Sequence, residues 1–444
     1  MRKKLALLLC AAMITGLFTG CGNGKQETVE NHVAESTGQD SGTTGEESQK
    51  EENKDEGSDE ESAENVGNAE EIRIWHDGDE AITGVIEAKV NEILSADNIT
   101  VKFEKKSGLT DQIKLYGNDE TSGPDLYMYA HDSLGTFVEM GVLAPITQVI
   151  DQGVYDDMLP MTVQAGQYRG EQYMLPLYFE TLLFMYNKDL WEGEVPSTTE
   201  ELYAYMQEHT DTESGIYAVV NQHSTCYNVA PVINGFGGYI IDEEAHPGLN
   251  DEKTKEAIEY NRKFAALQAD GDYNTVTTLF NEGQAAAIIG GPWLVPGIRE
   301  AGISLGVKSL SDITLPNGEG MAPFSGIQGI GMMRHAAESK GDALEKVLMA
   351  LADPEIGIEL AKQASCAPAN EKAYEDAAVS GDEIIDAMRR TASTAEPMPN
   401  IPEMSVLWGP SEALLAAVNK SGEDLDAAAE QYQKEAETAI ADMQ

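Results

Sequence analysis

Four aromatic residues stand where a strand or turn ends and a helix begins in the predicted order of elements: Tyr129, Tyr227, Trp293 and Trp408. In open α/β sheets the binding cleft lies beyond the carboxyl ends of the strands, so side chains at such junctions can reach it. An aromatic ring can cover the apolar C–H face of a sugar ring. These positions therefore indicate a surface that binds a carbohydrate.

Three carboxylates lie near the same junctions: Asp79, Asp132 and Glu180. Carboxylates accept charge-assisted hydrogen bonds, so they suit the hydroxyl rim of a sugar. Each also has a structural explanation, in which Asp79 is a turn residue, Asp132 is the N-cap of the next helix and Glu180 pairs with a lysine at a hinge. An isolated tryptophan is likewise more often a packing residue than a ligand platform, so no single residue decides the function.

Short β-rich runs alternate with helical patterns along the chain. Hydrophobic periodicity predicts strands over 71–75, 99–103, 125–129, 217–220, 285–289 and 325–333, and helices through 85–93, 229–233, 252–267 and 425–443. This βαβ rhythm predicts an α/β fold with mostly parallel sheets flanked by helices. Two apolar runs over 173–188 and the glycine-rich strand over 325–333 suit crossings between two lobes.

Composition limits the partners. The chain has 444 residues and a formal net charge of −48, and it lacks clusters of basic residues after the N-terminal Arg2-Lys-Lys4. Nucleic acid and anionic lipid surfaces are therefore excluded as partners. No CxxC pair or HExxH motif occurs, and the histidines lack metal-ligand spacing, so we expect no cofactor and no metal. A disulfide between Cys226 and Cys366 remains open.

The N-terminus has the features of an export signal. Basic Arg2, Lys3 and Lys4 precede the apolar run 5–17, which is too short for a comfortable membrane span. Residues 22–70 contain fifteen acidic residues, three lysines and hardly any large apolar residue. Such a segment cannot bury enough apolar surface to fold, so we expect a disordered acidic linker.

The sequence Phe18-Thr-Gly-Cys21 resembles the lipobox of bacterial lipoproteins. The resemblance implies a signal peptide over 1–20 and lipidation of Cys21, which becomes the new N-terminus and anchors the protein to the membrane. The family usually has leucine where this chain has Phe18. The alternative is an ordinary cleaved signal with an incidental cysteine.

The rest of the chain, residues 71–444, resembles the extracellular solute-binding proteins of ABC importers, and specifically the maltose/maltodextrin-binding proteins. The motifs that carry the resemblance are Trp75-His-Asp-Gly-Asp79, Gly123-Pro-Asp-Leu-Tyr-Met-Tyr-Ala-His-Asp132, Leu175-Pro-Leu-Tyr-Phe-Glu180, Tyr186-Asn-Lys-Asp-Leu190, Asn281-Glu-Gly-Gln284, Gly291-Pro-Trp293 and Met398-Pro-Asn-Ile-Pro-Glu-Met404 with Trp408. It implies a two-lobed periplasmic-binding-protein-like fold with the ligand cleft between the lobes. Lobe 1 would comprise 71–178 and 324–378, and lobe 2 would comprise 179–323 and 379–444.

The resemblance also implies roles for the candidate residues. Asp79, Asp132 and Glu180 would hold glucose hydroxyls, and Tyr227, Trp293 and Trp408 would form the aromatic surface. Tyr129 stands where the family often has tryptophan, and it offers a smaller ring. Glu80 stands where the maltose binders often have lysine, and Thr225 stands where one has glutamate.

The implied function is capture of maltose or maltodextrin by hinge closure and delivery to the permease of an ABC importer. The protein would be a monomer without catalytic activity, anchored by lipid to the outer face of the cell membrane. One alternative is binding of another oligosaccharide in the same fold. A second is a secreted glycoside hydrolase that uses Asp132 and Glu180, and a third is a surface adhesin without a small ligand.

Overall fold

Two mixed β-sheets with helices packed on them organise the described residues, 70–267 and 271–443, of the computed structural model. The strands are β1 (Glu70–His76), β2 (Ile99–Lys105), β3 (Leu126–Ala130), β4 (Leu143–Ala144), β5 (Gln167–Tyr168), β6 (Glu171–Gln172), β7 (Met174–Thr181), β8 (Leu183–Asn187), β9 (Tyr217–Val220), β10 (Ala285–Gly290), β11 (Leu305–Lys308), β12 (Phe324–Met333), β13 (Ala367–Pro368) and β14 (Glu396–Pro397).

The helices cover the faces of these sheets. They are α1 (Glu80–Ile93), α2 (Leu109–Tyr116), α3 (Leu134–Glu139), α4 (Pro160–Ala165), α5 (Thr199–His209), α6 (Cys226–Gly235), α7 (Glu252–Ala265), α8 (Tyr273–Asn281), α9 (Val295–Glu300), α10 (Arg334–Ser339), α11 (Gly341–Leu351), α12 (Pro354–Ala364), α13 (Ala377–Ser380), α14 (Glu383–Thr391), α15 (Trp408–Asn419) and α16 (Leu425–Ala441). Within the described ranges, none of them has the length and apolar character needed to span a bilayer.

The first sheet has the strand order β13-β7-β12-β3-β1-β2, with β4 and β14 also paired to β12. The second sheet has the order β11-β8-β10-β9. Strand β1 is parallel to β2 and β3, and β10 is parallel to β9, as the βαβ rhythm predicts. The prediction of mostly parallel sheets holds for these strands and for the short pairing of β12 with β14, but not for the long pairs that cross between the sheets. The long strand β12 is antiparallel to β3 and β7, and β8 is antiparallel to β10 and β11, because crossing strands enter each sheet from the other.

The chain passes between the sheets along nearly continuous strands. Strand β7 belongs to the first sheet and β8 to the second, and only the buried residue Leu182 separates them. The predicted crossings over 173–188 and 325–333 therefore match β7–β8 and β12. The two-residue strand β14, which the sequence did not predict, pairs with the start of β12. We call residues 396–401, which begin with β14, the third segment.

Three apolar cores follow this layout. One core includes Ile72, Ile74 and Val90 on the first sheet and helix α1, and a second includes Phe184, Val229 and Leu414 in the second lobe. The third core contains residues of both sheets, among them Phe179 from β7 and Ile288 from β10. Because this core spans the two sheets, it supports the segments that cross between them.

The predicted signal peptide, the linker and Cys21 lie outside the described residues. Cys226 and Cys366 are buried free thiols, so the structure contains no disulfide between them. The exact lobe boundaries given above remain predictions.

Candidate functional site

The topology gathers the three predicted carboxylates at one edge of the first sheet. Strands β1 and β3 are parallel, and β7 has the same direction because β12 lies antiparallel between β3 and β7. Asp79 follows β1, Asp132 follows β3, and Glu180 lies near the carboxyl end of β7. We call this set, Asp79, Asp132 and Glu180, the carboxylate edge.

Asp79 is the N-cap of helix α1, as its turn position predicts. Its side-chain Oδ1 accepts a hydrogen bond from the backbone N–H of Ala81 at 2.9 Å. The residue is exposed, and the cap uses one of its two oxygens. The second oxygen remains able to accept a hydrogen bond from a ligand hydroxyl.

Asp132 does not cap a helix. It lies inside the short 3-10 turn His131–Ser133, and Ser133 occupies the cap position of α3. Asp132 is exposed, and it forms no ion pair with any of the described residues. The simple structural explanation for this residue is therefore wrong, and its carboxylate faces solvent without a protein partner.

Glu180 is half-buried in β7 opposite Gly326 of β12. Burial raises the pKa of its carboxyl group above the ordinary value of 4.5. Within the described residues no lysine or arginine pairs with it, so the predicted alternative of a hinge ion pair is absent. A desolvated carboxylate without a partner costs stability, which favours a role in binding a donor from outside the protein.

Tyr129 lies at the end of β3 beside the carboxylate edge. Its ring is half-buried and packs against Phe137 at a centroid distance of 6.3 Å. Burial and the charges of Asp77 and Asp132 raise the pKa of its hydroxyl group. The ring is thus held within reach of two carboxylates.

Trp293 and Tyr227 lie at the matching edge of the second sheet. Trp293 follows β10 in the turn Pro292–Leu294, and Tyr227 lies in the first turn of α6, which comes after β9. Because β10 and β9 are parallel, their carboxyl ends meet at one edge. The register pairs Leu183, the first residue of β8, with Gly290, the last of β10. Glu180, three residues before Leu183, is therefore close in sequence to this edge of the second sheet.

Four rings form a connected aromatic cluster: Trp293, Tyr227, Phe324 and Trp408. Tyr227 lies 6.2 Å from Trp293 and 6.4 Å from Phe324 between ring centroids, and Phe324 lies 6.5 Å from Trp408 in an edge-to-face arrangement. Trp293 is 41 % exposed, Tyr227 and Trp408 are half-buried, and Phe324 is buried. The cluster therefore presents partly open rings supported by a buried one.

The carboxylate edge and the aromatic cluster meet near Glu180. Burial raises the pKa of the Tyr227 hydroxyl, and the Glu180 charge raises it further. The Tyr227 hydroxyl also donates to the backbone oxygen of Phe324 at 3.4 Å. On the other side, burial raises the pKa of Cys366 to about 12, with smaller contributions from Glu180 and Asp79. Glu180 thus lies close to both sets of side chains, and we call the region where the carboxylate edge adjoins the aromatic cluster the groove.

The sequence analysis missed two residues of this groove. Phe324 links Tyr227 to Trp408, but a buried phenylalanine at the start of a strand gives no sequence signal. Asp77 lies beside the Tyr129 hydroxyl, and burial raises the pKa of its carboxyl group. Asp77 belongs to the motif 75–79, so its position next to Asp79 could have identified it.

The two departures from the family pattern, Glu80 and Thr225, both lie at the start of a helix. Glu80 approaches Lys105 at 3.9 Å in an exposed ion pair, and Thr225 occupies the N-cap position of α6 without a side-chain cap.

A separate group, Asp242, Glu244 and His246, brings its ligand atoms within 4.8 Å of one another. It lies mostly exposed and Asp242 already accepts from His246, so we assign no metal to it.

Comparison with known proteins relates this groove to a family. Residues 88–387 match the family described as bacterial extracellular solute-binding protein. A solved structure of a cyclo/maltodextrin-binding protein complexed with maltotetraose has a similar fold, with a TM-score of 0.75 and 24 % sequence identity over 85 % of this chain and 98 % of that chain. This likeness confirms the predicted two-lobed fold.

Three curated relatives resemble most of the chain. A maltotriose-binding protein of Pyrococcus abyssi is 28 % identical and aligns over 82 % of this chain and 81 % of its own. A galactooligosaccharide-binding protein of Bacillus subtilis is 30 % identical, with 83 % of this chain and 90 % of its own covered. A maltooligosaccharide ABC transporter solute-binding lipoprotein of Streptococcus pneumoniae is 28 % identical, with 76 % and 81 % covered.

Proposed function

Because the chain belongs to the bacterial extracellular solute-binding proteins, we propose that it captures α-1,4-gluco-oligosaccharides for an ABC importer. The observation that carries the proposal is that the acceptor oxygens of the carboxylate edge adjoin the aromatic rings at Glu180, whose charge acts on Tyr227. Asp79, Asp132 and Glu180 accept from the sugar hydroxyls, while Trp293, Tyr227 and Trp408 cover the C–H faces. Relatives that bind maltotriose and maltooligosaccharides support this ligand class.

Binding is coupled to closure of the two lobes about the segments that cross between them. A ligand that contacts both the carboxylate edge and the aromatic cluster only in the closed form binds that form more tightly. This difference in affinity shifts the equilibrium from the open to the closed form. The carboxylate edge lies at the ends of strands of the first sheet, and Trp293 and Tyr227 of the aromatic cluster follow strands of the second. The sugar itself therefore supplies the contacts that stabilise closure.

The ligand is tested by calorimetric titration with maltotriose, maltoheptaose and a β-galactooligosaccharide of matched length. We expect the glucans to bind with micromolar or tighter affinity and the galactooligosaccharide to bind at least tenfold more weakly. The opposite order would transfer the proposal to the galactosides, which a relative binds. Binding of neither sugar would refute it.

A second candidate is glycoside hydrolysis, which the raised pKa of Glu180 favours because a general acid needs a raised pKa. We favour binding without catalysis because the relatives are solute-binding proteins. Incubation of the purified protein with maltoheptaose distinguishes the two functions. We expect the oligosaccharide to remain intact, whereas sustained release of shorter chains would establish a hydrolase.

The protein is anchored at the outer face of the cell membrane through lipid on Cys21 and delivers its sugar to a permease as a monomer. Support comes from the lipobox-like sequence ending at Cys21 and from a relative that is a lipoprotein. A linker of about fifty residues between the anchor and the lobes keeps the loaded protein concentrated near the permease. Replacing Cys21 with serine should release the protein from membranes, as fractionation would measure.

A further inference from the structure

One buried imidazole connects the Asp132 turn to two segments that pass between the lobes. His131 lies in the same 3-10 turn as Asp132 and is fully buried. Its Nε2 lies 2.9 Å from the backbone oxygen of Met398, and its Nδ1 lies 3.2 Å from the backbone nitrogen of Ile327. Ile327 is part of the crossing strand β12, and Met398 directly follows β14.

These partners determine the tautomer. The Ile327 N–H can only donate, so Nδ1 must accept and carries no proton. The Met398 carbonyl can only accept, so Nε2 must carry the proton. A second proton on Nδ1 would remove the acceptor for Ile327 and set two buried donors against each other, which is costly in a buried site.

The third segment, around Met398, is hydrogen-bonded to both β12 and α3. The Met398 N–H donates to the backbone oxygen of Ser325 in β12 at 3.2 Å, and the Gly135 N–H in α3 donates to the backbone oxygen of Asn400 at 2.9 Å. Met398 also packs against the core of the second lobe. The His131 ring therefore lies at a point where the Asp132 turn, β12 and the third segment meet.

We propose that His131 is a positioning residue, whose neutral ring holds Asp132 in register with the crossing segments and whose protonation weakens sugar binding. This inference rests on the proposed function. His131 does not touch the sugar; it acts through the turn that carries Asp132. Of the charged groups in the described residues, Asp132 is the one that acts on the imidazole, while the facing groups of β12 and the third segment are neutral main chain.

The direction of the pH effect follows from burial. Burial lowers the pKa of His131 below its ordinary value of 6.5, although the Asp132 charge opposes this. The folded protein therefore binds this proton less tightly than the unfolded chain does. Its stability and the order of the Asp132 turn should decline as the pH falls below about 6.5.

Two substitutions each keep one of the two hydrogen bonds of the His131 ring and remove the other. The amide oxygen of H131N can reach the Nδ1 position and accept from Ile327, whereas the amide nitrogen of H131Q can reach the Nε2 position and donate to Met398. Neither side chain titrates. We expect each variant to bind maltotriose at least fivefold more weakly than wild type at pH 7.5, with a flatter decline in affinity between pH 7 and pH 5.

The control is H335Q. His335 is also buried and bonds through Nε2 to a backbone oxygen, that of Pro124, at 3.0 Å, but it lies in α10, beyond the end of β12 that is remote from Ile327. H335Q should keep the wild-type affinity and pH profile. If H131N and H131Q lower only the melting temperature and match wild type in affinity and pH profile, His131 is merely structural and the proposal is wrong.

A measurement without sugar keeps this test separate from the proposed function. Hydrogen exchange of the Ile327 amide should be slow in wild type and H131N and at least tenfold faster in H131Q, which lacks the acceptor. Faster exchange in wild type at pH 5, after correction for intrinsic rates, should follow protonation. Equal exchange in all three proteins would overturn the role of His131, whether or not maltotriose binds.

Discussion

The carboxylate edge and the aromatic cluster differ in how far other protein groups contact and pair with them. The rings of the aromatic cluster contact one another, and the buried Phe324 supports the exposed Trp293 through Tyr227. Asp132 and Glu180 of the carboxylate edge lack ion-pair partners among the described residues. The rings of the aromatic cluster thus support one another, whereas Asp132 and Glu180 have acceptor oxygens without a cationic protein partner. We therefore expect substitutions in both sets to weaken sugar binding, and we expect Glu180→Gln to do so while stabilising the ligand-free protein.

The largest loss of affinity should follow removal of the rings. We expect Trp293→Ala and Trp408→Ala each to weaken maltotriose binding by about 1–2 kcal/mol, and the double variant to weaken it more, because each ring covers a sugar face. Calorimetry measures this loss. The matched control is Trp191→Phe, since Trp191 is buried and stacks on Tyr205 at 4.1 Å. That variant should lower the melting temperature and leave affinity unchanged.

Glu180→Gln should change sugar affinity and the stability of the ligand-free protein in opposite directions. The amide accepts more weakly from hydroxyls, so we expect roughly tenfold weaker sugar binding. Burial raises the folded-state pKa of Glu180, so its charged form costs stability at neutral pH. The ligand-free variant should therefore be more stable than wild type at pH 7, and the difference should shrink as the pH falls toward 4.5. A ligand-free variant that is less stable than wild type at pH 7 would contradict the account.

Asp79 should show two separable roles of smaller size. Asn caps helices about as well as Asp, so Asp79→Asn should keep the cap of α1 and weaken sugar binding by a few-fold. Asp79→Ala should also lower the free energy of unfolding by about 1 kcal/mol. The control is Asp272→Ala at the N-cap of α8, which should lose stability without a change in affinity. Equal affinity of Asp79→Asn and wild type would remove Asp79 from the site.

Features that depend on local sequence patterns were predictable, whereas features that depend on contacts between distant residues were not. Strand β1 was predictable because Ile72 and Ile74 alternate with polar neighbours, and the end of each parallel strand placed Asp79 and Asp132 at one edge. The mixed sheets were not predictable, since the direction of β12 depends on long-range pairing rather than on local periodicity. Phe324 and His131 gave no signal for the same reason: their contacts join residues far apart in sequence.

The most direct test of the central claim is a crystal structure of the protein with maltotriose. We expect sugar rings stacked on Trp293 and Trp408, with hydroxyls donating to Asp79, Asp132 and Glu180 in a closed groove. Sugar bound away from the aromatic cluster, or a groove left empty at saturating maltotriose, would contradict it.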